Sequence, residues 1–115
     1  SSAASDVYKR QVVQAIRKNN KYGFVFYQKG SVTMDDDLKV SVDKPAIVLI
    51  EKNDSRYHIT VSDPTYTQSD LTLSLNKKLE AVDGVTLTEE GCNVAIKLPT
   101  DDYQGSSITK SYMIK

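Results

Sequence analysis

The sequence predicts an all-β protein, an antiparallel β-sandwich of about ten short strands. Turn-forming residues recur about every 8–12 residues, which is the spacing expected of the short strands of a sandwich. The apolar runs are rich in Val, Ile, Thr, Leu and Tyr, and branched and aromatic side chains suit a pleated, half-buried surface. No stretch has a helical period, whereas several runs alternate between apolar and polar residues.

The length and charge of the chain restrict the classes of function that the protein can have. A chain of 115 residues has the size of one domain with one core. Acidic and basic residues number 15 each, so no overall field favours nucleic acid or an anionic membrane as a partner. No apolar run approaches the ~20 residues of a membrane span, and the first residues lack the apolar segment of a signal peptide. Cys92 is the single cysteine, which excludes an internal disulfide.

The strands are predicted from runs of β-favouring residues that end at turn signals. Residues 1–11 are polar and without period, and we expect them to be a disordered or non-native leader. The predicted strands span residues 12–16, 22–27, 31–34, 38–42, 46–50, 57–62, 71–75, 79–82, 85–87, 92–98 and 107–114. Asn19-Asn20 separates the first two strands and predicts a hairpin, because Asn tolerates the left-handed backbone of tight turns.

The densest apolar region runs from Lys44 to Leu75. Pro45 cannot donate to a strand ladder, so a strand should begin there. The following residues, 46–50, are continuously apolar, which predicts a strand that is central or covered on both faces. The next two strands alternate instead, with Tyr57 on a buried face and His58 on a polar one.

Several residues carry side chains that are capable of catalysis or metal binding. His58 is the only histidine, and its polar neighbours and lack of a nucleophile motif favour a surface role over general base chemistry. Asp35-Asp36-Asp37 and Asp101-Asp102 lack the spacing of a calcium loop, which favours solvated acidic loops. The alternation around Cys92 predicts a buried, inert thiol. We therefore expect no catalytic residue, no metal site and no cofactor.

Tyrosines offer a different kind of site. An aromatic ring can stack on the apolar face of a sugar, although strand tyrosines more often lie at the edge of a core. Tyr66 and Tyr103 lie in predicted loops and are therefore the candidates for sugar contact.

Two stretches, VQAIRKNNKYGFVFYQKGSV and LKVSVDKPAIVLIEKNDSRYHITVSDPTYTQSDLTLSLNKKL, resemble the C-terminal part of polysaccharide lyase family 8, the chondroitin and hyaluronan lyases. The similarity rests on the Tyr22-Gly23 strand, the Asp43-Lys44-Pro45 entry and the Ser62-Asp63-Pro64-Thr65 turn. It covers roughly residues 12–98. The resemblance implies that residues 12–38 are the terminal strands of a central β domain and residues 39–115 a C-terminal β-sandwich domain.

The resemblance also implies a function. Family members cleave acidic glycosaminoglycans, chondroitin sulfate or hyaluronan, by β-elimination outside the cell or in the periplasm, with catalytic residues that come mainly from a helical toroid. No position here matches those residues, so the chain is expected to be a non-catalytic fragment that reaches acidic polysaccharide through its parent enzyme. The parent's central and toroid domains are its expected partners. The alternatives are a free-standing carbohydrate-binding sandwich and an immunoglobulin-like interaction module.

Overall fold

The computed structural model describes residues 13–63, 70–98 and 107–115. Ten antiparallel strands form two five-stranded sheets there, which confirms the predicted β-sandwich. The strands are β1 (Val13–Lys18), β2 (Lys21–Phe26), β3 (Gly30–Thr33), β4 (Lys39–Val42), β5 (Ala46–Asn53), β6 (Arg56–Ser62), β7 (Asp70–Leu75), β8 (Val85–Leu87), β9 (Cys92–Lys97) and β10 (Ser107–Met113). These ranges contain no helix long and apolar enough to cross a membrane.

The first sheet has the strand order β1-β2-β5-β6-β10, and the second has the order β3-β4-β7-β9-β8. β5 is therefore the central strand of the first sheet, as its continuously apolar sequence predicted. The domain boundary predicted after residue 38 falls between β3 and β4, which pair with each other. Strands from both sides of that boundary contribute to each sheet, and the division into two domains stays a prediction.

The core lies between the sheets and is built from alternate residues of each strand. On β2 the inward row is Tyr22, Phe24 and Phe26, whose neighbouring ring centroids are 6.4 and 6.1 Å apart. The predicted inward faces of β6, β7 and β9 are confirmed, because their alternating apolar residues are all buried. The largest fully buried side chains are Phe24, Phe26, Leu38, Ile50, Ile59, Leu71, Leu73 and Leu79.

Tight turns join β1 to β2 and β5 to β6 in the first sheet. The predicted hairpin at Asn19-Asn20 is confirmed, and Asn19 has a positive φ of 57°. Asp54 has a φ of 53° in the second hairpin, between β5 and β6. Both residues are of the type that tolerates the left-handed region.

The strand predicted at residues 79–82 is wrong. Leu79 forms an isolated antiparallel bridge with Ile114 and is fully buried. The backbone then turns. The Val82 N–H donates a hydrogen bond to the Glu80 carbonyl, and the Val85 N–H donates one to the Val82 carbonyl. The apolar residues of this segment thus supply one core side chain rather than the period-two face of a strand.

Candidate functional site

The tyrosines of the strands belong mostly to the core. Tyr22, Tyr57 and Tyr112 are buried, whereas Tyr27 is 51% exposed. The described ranges therefore present a single well-exposed tyrosine, and not a group of coplanar rings for sugar stacking. Tyr66 and Tyr103, the predicted sugar contacts, lie outside the described residues.

The acidic loop between β3 and β4 joins the two sheets. Arg17 Nη1 on β1 lies 3.1 Å from Asp35 Oδ1 and 3.6 Å from Asp36 Oδ2. The Arg17 guanidinium carbon also lies 5.5 Å from the centroid of the Tyr22 ring, within the range of a cation–π contact. The Tyr22 hydroxyl donates a hydrogen bond to the Asp36 carboxylate, and the Leu38 N–H donates another at 3.3 Å.

These contacts shift two pKa values in opposite directions. The hydrogen bond from Tyr22 is the main cause that holds the pKa of Asp36 below its ordinary value of 3.8. Burial, together with the hydrogen bond to Asp36, raises the pKa of Tyr22 to about 12. The pair stays as carboxylate and phenol over a wide pH range, so it serves as a structural link. Asp101-Asp102, the other predicted acidic loop, lies outside the described residues.

His58 has a partner that the sequence did not suggest. Its Nδ1 lies 2.7 Å from Ser111 Oγ, because β6 and β10 pair in register. Glu51 on β5 and Lys21 on β2 continue this row across the sheet. The row lies on the outward face beside a shallow depression of about 260 Å³, lined in part by His58 and Glu51.

A histidine between a serine and a glutamate has the residue types of a hydrolytic triad. That chemistry further needs donors for an oxyanion in a water-excluded cleft. The depression beside His58 lies open on a sheet face, and Ser111 is exposed. We interpret the row as polar surface in which Ser111 orients the imidazole.

Cys92 is buried, as predicted, and burial raises the pKa of its thiol. A thiol held in its protonated form is a poor nucleophile and a poor metal ligand. Within the described ranges, no group of three or more His, Cys, Asp or Glu side chains could hold a metal ion.

The outward face of the second sheet carries a polar row. Cross-strand pairing aligns Ser31, Ser41, Ser74, Asn93 and Thr86 over all five strands. Ser74 Oγ donates to Asn93 Oδ1 at 2.7 Å, and both residues line a depression of about 450 Å³. Alternation places these residues on the outward face, and the order and register of the five strands align them.

The outward face of the first sheet carries a group of apolar residues on β1, β2 and β5, bordered by the row of Lys18, Lys21, Glu51 and His58 on one side and by Gln14 at one end. Ile16, Gly23 and Leu49 are paired across these strands, and Val25 and Ile47 form the adjacent row. Ile16 is 71% exposed and Leu49 is 51% exposed. We name these five residues the β1–β2–β5 patch. The same rows continue into Thr60, Thr109, Ser62 and Ser107 on β6 and β10. The patch thus ends where hydroxyl side chains begin.

Comparisons with known proteins agree with this architecture. A family model described as "Polysaccharide lyase family 8, C-terminal beta-sandwich domain" matches residues 9–72. Among solved structures, the chain is similar to a mutant of the chondroitin AC lyase of Streptomyces coelicolor A3, with a TM-score of 0.57 and 14% sequence identity. The likeness covers 99% of this chain and 17% of that chain, and at this identity it concerns the fold alone. A search of curated proteins found no match.

Proposed function

Because the chain belongs to polysaccharide lyase family 8, as its sequence predicted, we propose that it is the non-catalytic C-terminal β-sandwich module of a lyase that cleaves glycosaminoglycans by β-elimination. The observation that carries this proposal is the match of the family's C-terminal domain to residues 9–72. The chain spans 17% of the chondroitin AC lyase that it resembles in fold. A domain of this relative size would be one part of a much larger enzyme.

The non-catalytic role is supported by the placement of the ionisable groups. β-Elimination needs a base beside the acidic proton of a uronic acid and an acid at the leaving oxygen. Tyr22 and Asp36 are hydrogen-bonded to each other, and Cys92 is buried. His58 lies on an open face with Ser111. Tyr22 and His58 line the open depression of about 260 Å³, and Cys92 lines the one of about 450 Å³; neither depression is an enclosed cleft around a sugar chain.

The substrate class is proposed from the relatives. The structural neighbour is named as a chondroitin AC lyase, and chondroitin sulfate or hyaluronan would be the polymer cleaved by the parent enzyme. With 15 acidic and 15 basic residues, this module has no net charge to capture a polyanion, so the other domains of the parent would bind the polymer. Such polymers lie outside cells, and we propose an extracellular or periplasmic location.

An activity assay on the full-length parent protein tests this proposal. β-Elimination leaves an unsaturated uronate at the new chain end, and its ultraviolet absorbance reports turnover. We expect absorbance to rise with chondroitin sulfate or hyaluronan and to stay flat with a neutral polysaccharide, which lacks the uronic acid. A parent protein that is folded but inactive on both acidic polymers would contradict the proposal.

A free-standing carbohydrate-binding sandwich is the second candidate, and the polar row from Ser31 to Thr86 favours it because hydroxyl and amide groups can hydrogen-bond sugar hydroxyls. Under this proposal, Tyr66 and Tyr103 would stack on the sugar. Affinity electrophoresis in gels that contain polysaccharide distinguishes the two functions. Retardation that is lost in Tyr66→Ala and Tyr103→Ala, but kept in Tyr27→Ala, would favour the binding module.

A further inference from the structure

The β1–β2–β5 patch lies on a strand whose sequence indicates burial on both faces. Residues 46–50 of β5 are all apolar, and continuously apolar strands are typical of sheets that are covered on both sides. The inward residues Ala46, Val48 and Ile50 are buried by the second sheet, whereas Leu49 on the other face is 51% exposed. The outward face of this strand therefore has the apolar composition of an interface. No part of the chain that the structure describes packs on it.

Gly23 gives the patch a shape. A β-carbon built at Gly23 would lie 3.5 Å from Ile16 Cγ1 and 3.6 Å from Leu49 Cδ2. The absent side chain thus leaves a notch between two aliphatic side chains, at ordinary van der Waals distance from both. An apolar side chain of a partner could enter this notch and contact Ile16 and Leu49 together, which is how interface anchors fill pockets.

The position of the patch indicates which partner covers it. The matching domain is the C-terminal one of its family, and the chain corresponds to 17% of its structural neighbour. The remainder of such an enzyme therefore precedes this domain in sequence. β1 is the first strand of the described fold and an edge strand, and it carries Ile16. A preceding domain would be tethered at the margin of the patch.

We propose that the β1–β2–β5 patch is the surface on which the preceding domain of the parent lyase packs, with an apolar side chain of that domain in the notch at Gly23. This inference rests on the proposed function. It uses the apolar residues of two cross-strand rows and leaves the hydroxyl ends of those rows, on β6 and β10, in water. An exposed contiguous apolar surface of this kind marks an interaction site.

Cysteine labelling in the full-length parent protein tests the proposal. Ile16→Cys and Leu49→Cys report on the patch, and Thr109→Cys is the matched control because Thr109 is exposed in the same cross-strand row, at the far edge of the sheet. Maleimide labelling rates are compared in native protein and in urea. We expect both patch cysteines to label at least about tenfold more slowly than the control in native protein, because a packed interface reacts only when it opens.

A second variant acts on the notch. Gly23→Phe places a large side chain between Ile16 and Leu49 on the surface, where it should displace the partner without disturbing the core. We expect it to raise the native labelling rate of Leu49→Cys towards that of Thr109→Cys. An unchanged rate would contradict the assignment of the notch.

The outcomes separate this inference from the proposed function. An active lyase in which the patch cysteines label as fast as Thr109→Cys overturns the docking surface and leaves the proposed function intact. An inactive parent with a protected patch overturns the proposed function and keeps the docking surface. Protection that disappears on dilution means that a second copy covers the patch, and this also overturns the proposal.

Discussion

At the scale of residues, the link between the sheets depends on Tyr22, Asp36 and Arg17. Tyr22 belongs to the first sheet, and Asp36 lies in the loop between two strands of the second. Arg17 covers the Tyr22 ring and pairs with the same loop. The sequence revealed the acidic loop but not its partners, because they lie 14 and more positions away and meet only when the sheets pack.

Removal of the Tyr22 hydroxyl should destabilise the protein in a pH-dependent way. Tyr22→Phe keeps the ring and loses the donor to Asp36, which we expect to cost about 1–2 kcal/mol at pH 7. The pKa of Asp36 is lowered below 3.8, so its contribution is present above that pH and is lost as the pH falls through the lowered value. The pKa of Tyr22 is raised from 10.0 to about 12, so its contribution is lost as the pH rises through that interval.

Urea unfolding of the wild type and Tyr22→Phe across pH measures this cost. The difference in unfolding free energy should be largest between these limits and should shrink at both ends. In the Asp36→Asn background, Tyr22→Phe should cost the same at acidic as at neutral pH. A cost in the wild-type background that does not change with pH would contradict the coupling.

Two glycines should respond in opposite ways to the same substitution. A β-carbon at Gly91 would lie 1.9 Å from the Leu75 carbonyl oxygen, so Gly91→Ala must displace backbone and should cost about 2 kcal/mol or more. Gly23→Ala meets only ordinary contacts and should be neutral or stabilise by about 0.5 kcal/mol, because glycine weakens a strand. Thermal unfolding of both variants checks this ranking, and equal effects would contradict it.

At the scale of elements, the sequence predicted most strands because their alternation is a local property. Outward and inward residues of β6, β7 and β9 follow directly from period two. The prediction of a strand at residues 79–82 was wrong because Leu79 is buried as a single side chain without a strand around it. The His58–Ser111 contact could not be predicted, since the two residues lie 53 positions apart in the sequence and are brought together only by the pairing of β6 and β10.

The edge strand β1 should depend on Arg17. β1 pairs only with β2 among the described strands, and Arg17 ties it to Asp35 and Asp36. We expect Arg17→Ala to speed amide hydrogen exchange in Val13–Lys18 while β5 and β6 keep their protection, because edges open locally before the core does. Lys18→Ala is the matched control, since Lys18 is exposed on the same strand. Equal exchange in the two variants would contradict this role of Arg17.

At the scale of the whole molecule, the sandwich has two outward faces of different character. The second sheet presents a polar row, and the first presents the β1–β2–β5 patch beside hydroxyl side chains and the row that contains Lys21, Glu51 and His58. Near the start of the described chain Ile16 and Tyr27 are exposed, whereas Tyr22, Phe24 and Phe26 are buried. The sequence could not predict the patch, because Leu49 lies near Ile16 only through the order of the strands.

The central claim is that this module contributes no catalysis of its own. The most direct test is the ultraviolet absorbance of unsaturated uronate when the 115-residue chain alone, shown to be folded by circular dichroism, meets chondroitin sulfate or hyaluronan. The full-length parent protein is the positive control. We predict no increase above buffer with the chain alone, at concentrations at which the parent turns over rapidly. Sustained product formation by the chain, abolished by His58→Ala, would contradict the claim.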